Sequence, residues 1–486
     1  MFTFSVENIK ERFRSMPALS ILLSIIAGIV VAAYCPISVW IWVAMLILIA
    51  VAAIFYQPLI VLALFAYGGM AYNIHTAGDV PHLQRIDATL KIGERRYDYG
   101  SYATYTATVV GYNGRECNAK ITLYADSLAF VEQGDEVRAD IVIKPLDESR
   151  LYNRLLAKQG FVGKASLYRG NMEYIRPATL RRLHTVVVER MERLLGQSDA
   201  AKVALNITLG AKVAPDRNLS NAYSYSGLSH LLAVSGLHTA LVLMLIVLLL
   251  RPLVLLWRGN VILRCAAVVL VWLYVALCGY PTSAIRAAIM LTLLEMSYVL
   301  GREYASENSL CFAALMMLCV EPTMLFEPSF MLSFAAVAGI VFVGADLCRG
   351  LSVRNSFLRW ILHSVAISTV CIAATLPIVV SCFGTISILS ILLTPVVLIF
   401  VQLNLVYTLI MVVMPNVVAQ TFVAPTLWCN ECANRIIEWS VSLGVGYSQM
   451  SFSGAGVALY YAILIGATIF YWGFAKTQSL KIENYD

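Results

Sequence analysis

The run from Ser226 to His238, SGLSHLLAVSGLH, sets two histidines, three serines and two glycines just ahead of an apolar stretch from Leu241 to Leu250. Such side chains can bind a polar solute or supply a nucleophile and its base. Ser235 and His238 stand three apart and share a helix face, as a hydroxyl nucleophile and its imidazole would. Against that, Ala-Val-Ser-Gly-Leu around Ser235 is not the G-x-S-x-G turn of hydrolases, and no nearby carboxylate orients the histidine. The other chemistry is passage. Non-helical backbone at membrane depth persists only where protein buries it or water wets it, so a broken helix around Gly236 predicts a re-entrant element beside a pore. Ser229, His230, Ser235, Gly236 and His238 would line the watery path beside it.

A second polar intrusion, Gly279 to Ala288, carries Ser283 and Arg286. An arginine placed centrally in a crossing costs about 2.5–3.5 kcal/mol, so Arg286 is expected to face carbonyls, water or the same path. Glu295 lies too far along that helix to pair with it and needs a partner on another helix, or a proton. Phe330 to Ala336, with Ser333, supplies the small and hydroxyl residues that let helices approach closely. Leu376-Pro377 and Thr394-Pro395 flank Phe383-Gly384 and predict two kinked or broken helices around an outer turn.

The elements that must position these residues are membrane helices. Of 486 residues, 59% are apolar and 13% charged, against roughly 45–50% and 25% in soluble domains. A soluble enzyme, a collagenous chain and a disordered chain are excluded. Apolar stretches at 17–34, 37–56 and 58–73 precede a polar insert, and others centre near 246, 270, 292, 315, 338, 369, 400, 432 and 465. The one near 432 is interrupted by Asn430, Glu431, Asn434, Arg435 and Glu438, so it lies on the surface or faces a polar interior. Lys10, Arg12 and Arg14, then Arg251, Arg258 and Arg264, Arg302, the group Arg349, Arg354 and Arg359, and Lys476 and Lys481 fall on alternate connections. That places the N-terminus in the cytoplasm and the insert outside. Four regions follow: N-terminal crossings at 1–75, the insert at 85–176, a helical linker at 177–226 and a polytopic domain at 227–486.

Within the insert, Tyr102 to Tyr112, Ala119 to Tyr124 and Glu136 to Ile143 read as strands between the turns Asn113-Gly114 and Gly134-Asp135. About five short strands suit a small β-barrel, the oligonucleotide-binding (OB) type among them. Residues 85–176 carry 14 Lys/Arg and 12 Asp/Glu, so phosphate attraction by the insert is modest. Tyr97, Tyr99, Tyr102, Tyr105, Tyr112, Tyr124 and Phe130 are candidates for base stacking, or fill the barrel core. In the linker, Leu183, Val187, Met191 and Leu194 recur at helical spacing while Arg181, Arg182, Arg190 and Arg193 lie mostly elsewhere, an amphipathic helix for the interface or for an anionic polymer. Most of the 11 cysteines sit in apolar runs and imply no disulfide framework, and Cys429-x-x-Cys432 reads as packing. The six histidines form no cluster suited to a metal, and no phosphate-binding loop appears, so no cofactor, metal, nuclease or ATPase is expected.

Together these segments resemble the ComEC family of DNA internalization-related competence proteins. The resemblance rests on HLLAVSGLH at His230 to His238, PTSAIRA at Pro281 to Ala287, FMLSFAA at Phe330 to Ala336 and the LP, FG and TP pattern from Leu376 to Pro395. Gly134-Asp135 and LLAKQG at Leu155 to Gly160 extend it into the insert. It implies an inner-membrane channel that admits one strand of incoming DNA, with a periplasmic OB-like domain engaging that strand. It also implies separate competence proteins, a cytoplasmic motor and a nuclease among them. Many family members carry a C-terminal metallo-β-lactamase-like domain, whereas this chain ends soon after its last crossing. The residues alone leave two other readings open, a membrane-embedded hydrolase and an exporter of another anionic solute.

Overall fold

The computed structural model describes residues 6–474 other than 77, 79, 100, 127–130, 132–133, 148–150, 177–182, 302, 352, 384, 388, 444–446 and 450–453. Expectations for Phe130, Arg181, Arg182, Arg302, Gly384, Lys476 and Lys481 therefore lie outside the described residues.

An amphipathic α1 (Val6–Arg14) leads into three apolar helices, α2 (Pro17–Tyr34), α3 (Val39–Phe55) and α4 (Ile60–Thr76). Helices α2 and α4 meet backbone to backbone because glycines stand at their crossing. A Cβ on Gly28 would overlap the Phe65 carbonyl oxygen, and one on Gly68 would lie 2.5 Å from that of Ile25. Lipid offers no hydrophobic drive for helix pairing, so such close contact supplies the attraction.

The insert follows as β1 (Arg85–Asp98), β2 (Tyr102–Tyr112), β3 (Arg115–Asp126), β4 (Glu136–Val142), β5 (Lys144–Pro145), α5 (Leu151–Lys158), β6 (Phe161–Leu167) and β7 (Met172–Arg176). Alternation of apolar and polar residues sends Ile86, Ala88, Leu90 and Ile92 of β1 to one core with Ile121, Leu123, Val137 and Ile141. Asn113 and Gly114 both take positive φ, the turn a two-residue hairpin requires. The strand order is β5-β6-β3-β2-β1-β4-β7, with β3 and β6 parallel. Because β4 and β5 form one run interrupted at Ile143, the sheet curls back toward β6. Only Lys144 and Pro145 pair there, proline has no N–H to donate, and β7 extends the far edge. The expected barrel is thus corrected to an open, curled, mixed sheet of seven strands.

The linker forms α6 (Leu183–Leu195), α7 (Asp199–Leu209) and α8 (Arg217–Tyr225). The remainder is α9 (Gly236–Leu250), α10 (Gly259–Leu277), α11 (Thr282–Leu300), α12 (Ser306–Val320), α13 (Pro328–Gly339), α14 (Ala345–Gly350), α15 (Ser356–Phe383), β8 (Thr385–Ser387), α16 (Ser390–Val413), α17 (Asn416–Ala419), α18 (Val423–Ser442), β9 (Tyr447–Gln449) and α19 (Gly454–Phe474). A π-helical turn, Ile340–Gly344, joins α13 to α14, and β8 pairs with β9 between the ends of the helices. Among the described residues eight helices are long and apolar enough to cross a membrane, beginning at Pro17, Gly236, Gly259, Thr282, Pro328, Leu358, Ser390 and Gly454. Val39–Ala53 and Ser306–Val320 are apolar but shorter. Pro377 and Pro395 lie inside α15 and α16, which continue through them rather than breaking.

Helix α18, the weak stretch near 432, is not one of the eight. It buries Cys429, Asn430, Ala433, Asn434 and Ile437 while Glu431, Arg435 and Glu438 stay exposed. Its buried amides join a polar seam: Asn430 Nδ2 donates to Asn404 Oδ1 at 2.9 Å, and Asn404 Nδ2 to Thr208 Oγ1 at 3.2 Å. Glu295 finds its partner on another helix, Arg264 of α10, at 2.7 Å.

Candidate functional site

Helix α8 ends at Tyr225 and the chain turns through Gly227, whose φ of +75° only glycine adopts freely. A Cβ there would also lie 3.2 Å from those of Ser387 and Ser390. A 3-10 turn, Ser229–Leu232, and the extended Ala233 follow before α9 begins. The non-helical stretch thus lies directly before Gly236, the first residue of α9. Ser229 and His230 are exposed. The His230 Nδ1–H donates to the Gly227 carbonyl at 3.2 Å.

Ser235 and His238 form a reciprocal cap on α9. The His238 N–H donates to Ser235 Oγ at 3.4 Å, and the Ser235 N–H donates to His238 Nδ1 at 3.2 Å. The ring nitrogen facing Ser235 thus accepts a backbone proton rather than the hydroxyl proton, and the pair caps α9. His238 is only 1% exposed, and its Nε2 has no partner among the described residues.

Gly279 and Tyr280 both take positive φ between α10 and α11. Ser283 on the first turn of α11 donates to the Val234 carbonyl at 2.5 Å, fastening the extended residues before α9. One turn on, Arg286 is 4% exposed. Its Nη1 donates to the Ser333 carbonyl on α13, its guanidinium stands 5.6 Å from the Phe334 ring centre, and its Nη2 lies 2.8 Å from where a Cβ on Gly236 would sit. Arg286 thereby joins α9, α11 and α13, bringing together Ser235, Gly236, Ser283, Arg286 and the Ser333 backbone. Ser229 and His230 lie apart from this junction, on the exposed 3-10 turn that follows Gly227.

In the insert, the Tyr99 and Tyr102 rings stack with centres 4.8 Å apart, flanked by Tyr97 at 5.1 Å from Tyr99 and Tyr124 at 6.2 Å from Tyr102. Burial and neighbouring phenols push Tyr97, Tyr99 and Tyr124 above the usual phenol range, so these rings stay neutral. Two of the candidate rings pack toward the sheet core, the alternative the spacing left open. Tyr105 is 8% exposed and donates to the Val131 carbonyl at 3.0 Å, and Tyr112 packs against the sheet core. Arg190 is likewise occupied, donating to Asn416 Oδ1 at 3.0 Å and to the Val412 carbonyl at 2.8 Å near the end of α16.

A cleft of about 460 Å³ separates the insert from the bundle, with Arg96, Lys120 and Lys212 opposed by Glu94, Glu321 and Glu327. Lys120 pairs with Glu321 at 3.3 Å, and Lys212 pairs with Glu94. Gln159 Nε2 donates to the Phe326 carbonyl and Lys158 Nζ to that of Ala33, both at 2.9 Å. In the sequence, LLAKQG is legible only as part of a likeness. Its role in docking the insert was missed, as was the Thr208–Asn404–Asn430 seam, although an amide inside the apolar run 390–413 was a readable signal.

Apolar helices with buried polar junctions and an inserted sheet define a multi-pass membrane protein. The match to known families agrees with that architecture: residues 207–475 fit the family described as Competence protein, and the chain belongs to it. It is similar to ComE operon protein 3 of Bacillus subtilis (strain 168), 27% identical over 144 residues, which is 29% of this chain and 18% of that protein. It is also similar to an uncharacterized protein of Aquifex aeolicus (strain VF5), 34% identical over 179 residues, 37% of this chain and 39% of that one. The chain thus aligns with less than half the length of either relative. No solved structure matches.

Proposed function

We propose that the chain is an inner-membrane channel for single-stranded DNA taken up in natural transformation. Family membership supports a role in DNA uptake. The observation that carries passage rather than anchoring is Arg286, a guanidinium buried among three apolar helices without a carboxylate partner among the described residues. An apolar side chain would join these three helices at lower cost, so the retained charge supports a role toward a polyanion.

In this reading the N-terminus and basic connections are cytoplasmic, and the curled sheet is an OB-like domain in the periplasm. The Tyr97, Tyr99, Tyr102 and Tyr124 group offers ring faces to bases. A separate motor drives transfer and a separate nuclease removes the other strand, while this chain does no chemistry on DNA. The capped Ser235–His238 pair argues against the hydrolase alternative.

Labelled duplex followed in a deletion strain of a competent host tests the proposal. DNA should reach the periplasm and fail to enter the cytoplasm, and reintroducing the gene should restore entry. Normal cytoplasmic entry without the protein would end the channel reading and leave export of another anionic solute.

A further inference from the structure

We infer that Arg286 and the first turn of α9 form a binding site for one phosphodiester group of the passing strand, an inference that rests on the channel reading above. Arginine presents five N–H donors. Here Nη1 meets the Ser333 carbonyl, while Nε is buried with no partner among the described residues. Nη2 is directed at Gly236, where α9 begins.

That helix runs fifteen residues, and its dipole places about half an elementary positive charge at its start. The cap takes up the His238 N–H, leaving the Gly236 and Leu237 N–H groups at the helix start, where first-turn donors have no intrahelical acceptor. A buried cation and the positive end of a helix therefore face each other. No side chain among the described residues neutralises either, and an anion between them resolves both. Gly236 leaves room for the guanidinium, because an alanine Cβ would stand 2.8 Å from Nη2.

Two features select the class of anion. The planar guanidinium suits two oxygens on one centre better than a halide. The channel reading above then favours phosphate, and the nearest cleft residue on α13, Ser329, precedes Ser333 by about one turn, about 6 Å along the axis. Ser283 and Ser235 are already engaged, to the Val234 carbonyl and the α9 cap, so they position backbone rather than coordinate the ligand.

The test is thermal unfolding of the full-length protein in detergent, titrated with sodium dimethyl phosphate. Neutral trimethyl phosphate, sodium acetate and sodium chloride serve as controls, the salts at equal ionic strength. Dimethyl phosphate should raise the midpoint saturably and trimethyl phosphate should not. Arg286→Gln should weaken the apparent affinity about tenfold or more. Gly236→Ala, which leaves the arginine in place but crowds it, should do the same and serves if Arg286→Gln does not fold. An equal saturable rise with acetate or chloride overturns the phosphodiester assignment. No saturable rise with any anion, or an unchanged one in both variants, overturns the site. DNA entry measured in the deletion strain keeps the two readings apart. Saturable binding with normal entry sinks the channel and spares the anion site, whereas blocked entry without binding sinks the site and spares the channel.

Discussion

At the scale of single residues, one backbone hydrogen bond separates two chemistries. His238 Nδ1 accepts from the Ser235 N–H, so the spacing that suits a nucleophile and base instead closes a helix cap. Ser235→Ala should therefore retain DNA entry within a few-fold while lowering stability by about 0.5–2 kcal/mol, the usual worth of an N-cap hydroxyl. Transformation frequency and the unfolding midpoint measure the two effects. Complete loss of entry from a protein still folded and inserted would return Ser235 to a chemical role. Glu295 teaches a related lesson. A carboxylate in an apolar run demands a partner, and Arg264 answers from the neighbouring helix while also lying over the Tyr298 ring.

At the scale of elements, the α2–α4 crossing depends on absent side chains. Gly28→Leu must push the helices apart at the Phe65 carbonyl, and overpacking of this kind costs about 1–3 kcal/mol. A lower unfolding midpoint and reduced membrane yield are expected, and an unaltered midpoint would show that the pair yields freely. Helix α6 meets the end of α10 through His184, whose Nδ1–H donates to the Leu277 carbonyl at 2.7 Å. Burial, with some opposition from that hydrogen bond and help from Arg95 and Lys212, holds this imidazole below its ordinary value near 6.5. The unfolded chain thus binds a proton that the folded chain refuses as pH drops below about 6.5. Stability from this group is complete above that window and lost within it, by about 1.4 kcal/mol per unit of depression. Midpoints recorded from pH 7 to 5.5 should fall, and His184→Gln should flatten that part of the curve. An identical slope in the variant would assign it elsewhere.

At the scale of the whole molecule, the insert is fastened to the bundle on several sides. Lys120–Glu321 and Lys212–Glu94 flank the cleft, Lys158 and Gln159 reach helix-end carbonyls, and Asp98 exchanges backbone hydrogen bonds with Lys212 and Ala214. Ring faces in the insert are thereby held at a fixed distance from the membrane helices. Tyr99→Ala combined with Tyr102→Ala should weaken binding of oligo-deoxythymidylate to the full-length protein by about 1–3 kcal/mol per ring, with little change in the unfolding midpoint. Tyr105→Ala should do the reverse, because that ring is core and its hydroxyl holds the Val131 carbonyl. Fluorescence anisotropy read beside a melting curve distinguishes the two patterns, and equal binding losses from both variants would remove the stacking role.

What the sequence determined by itself was governed by local physics. Composition and apolar run length located eight helices able to span, since a span needs only enough consecutive apolar residues. The stretches at 37–56 and near 315 form shorter helices, and those at 58–73 and near 432 are not among the eight. Alternation and Asn113-Gly114 located the strands and a hairpin. Polar interruptions at Ser226–His238, Gly279–Ala288 and Ser333 marked where three helices meet. Tertiary structure decided matters that depend on residues far apart in the chain. Whether the sheet closes turned on the short pairing of Lys144 and Pro145 with β6. Which tyrosines stay accessible turned on the neighbours across the sheet, and whether Asn430 and Asn434 face protein or lipid turned on Asn404 and Tyr223 of other helices. Arg286 combines both kinds of information. Its cost was readable from an apolar run, but its place against Gly236 and the Ser333 carbonyl exists only once α9, α11 and α13 pack together.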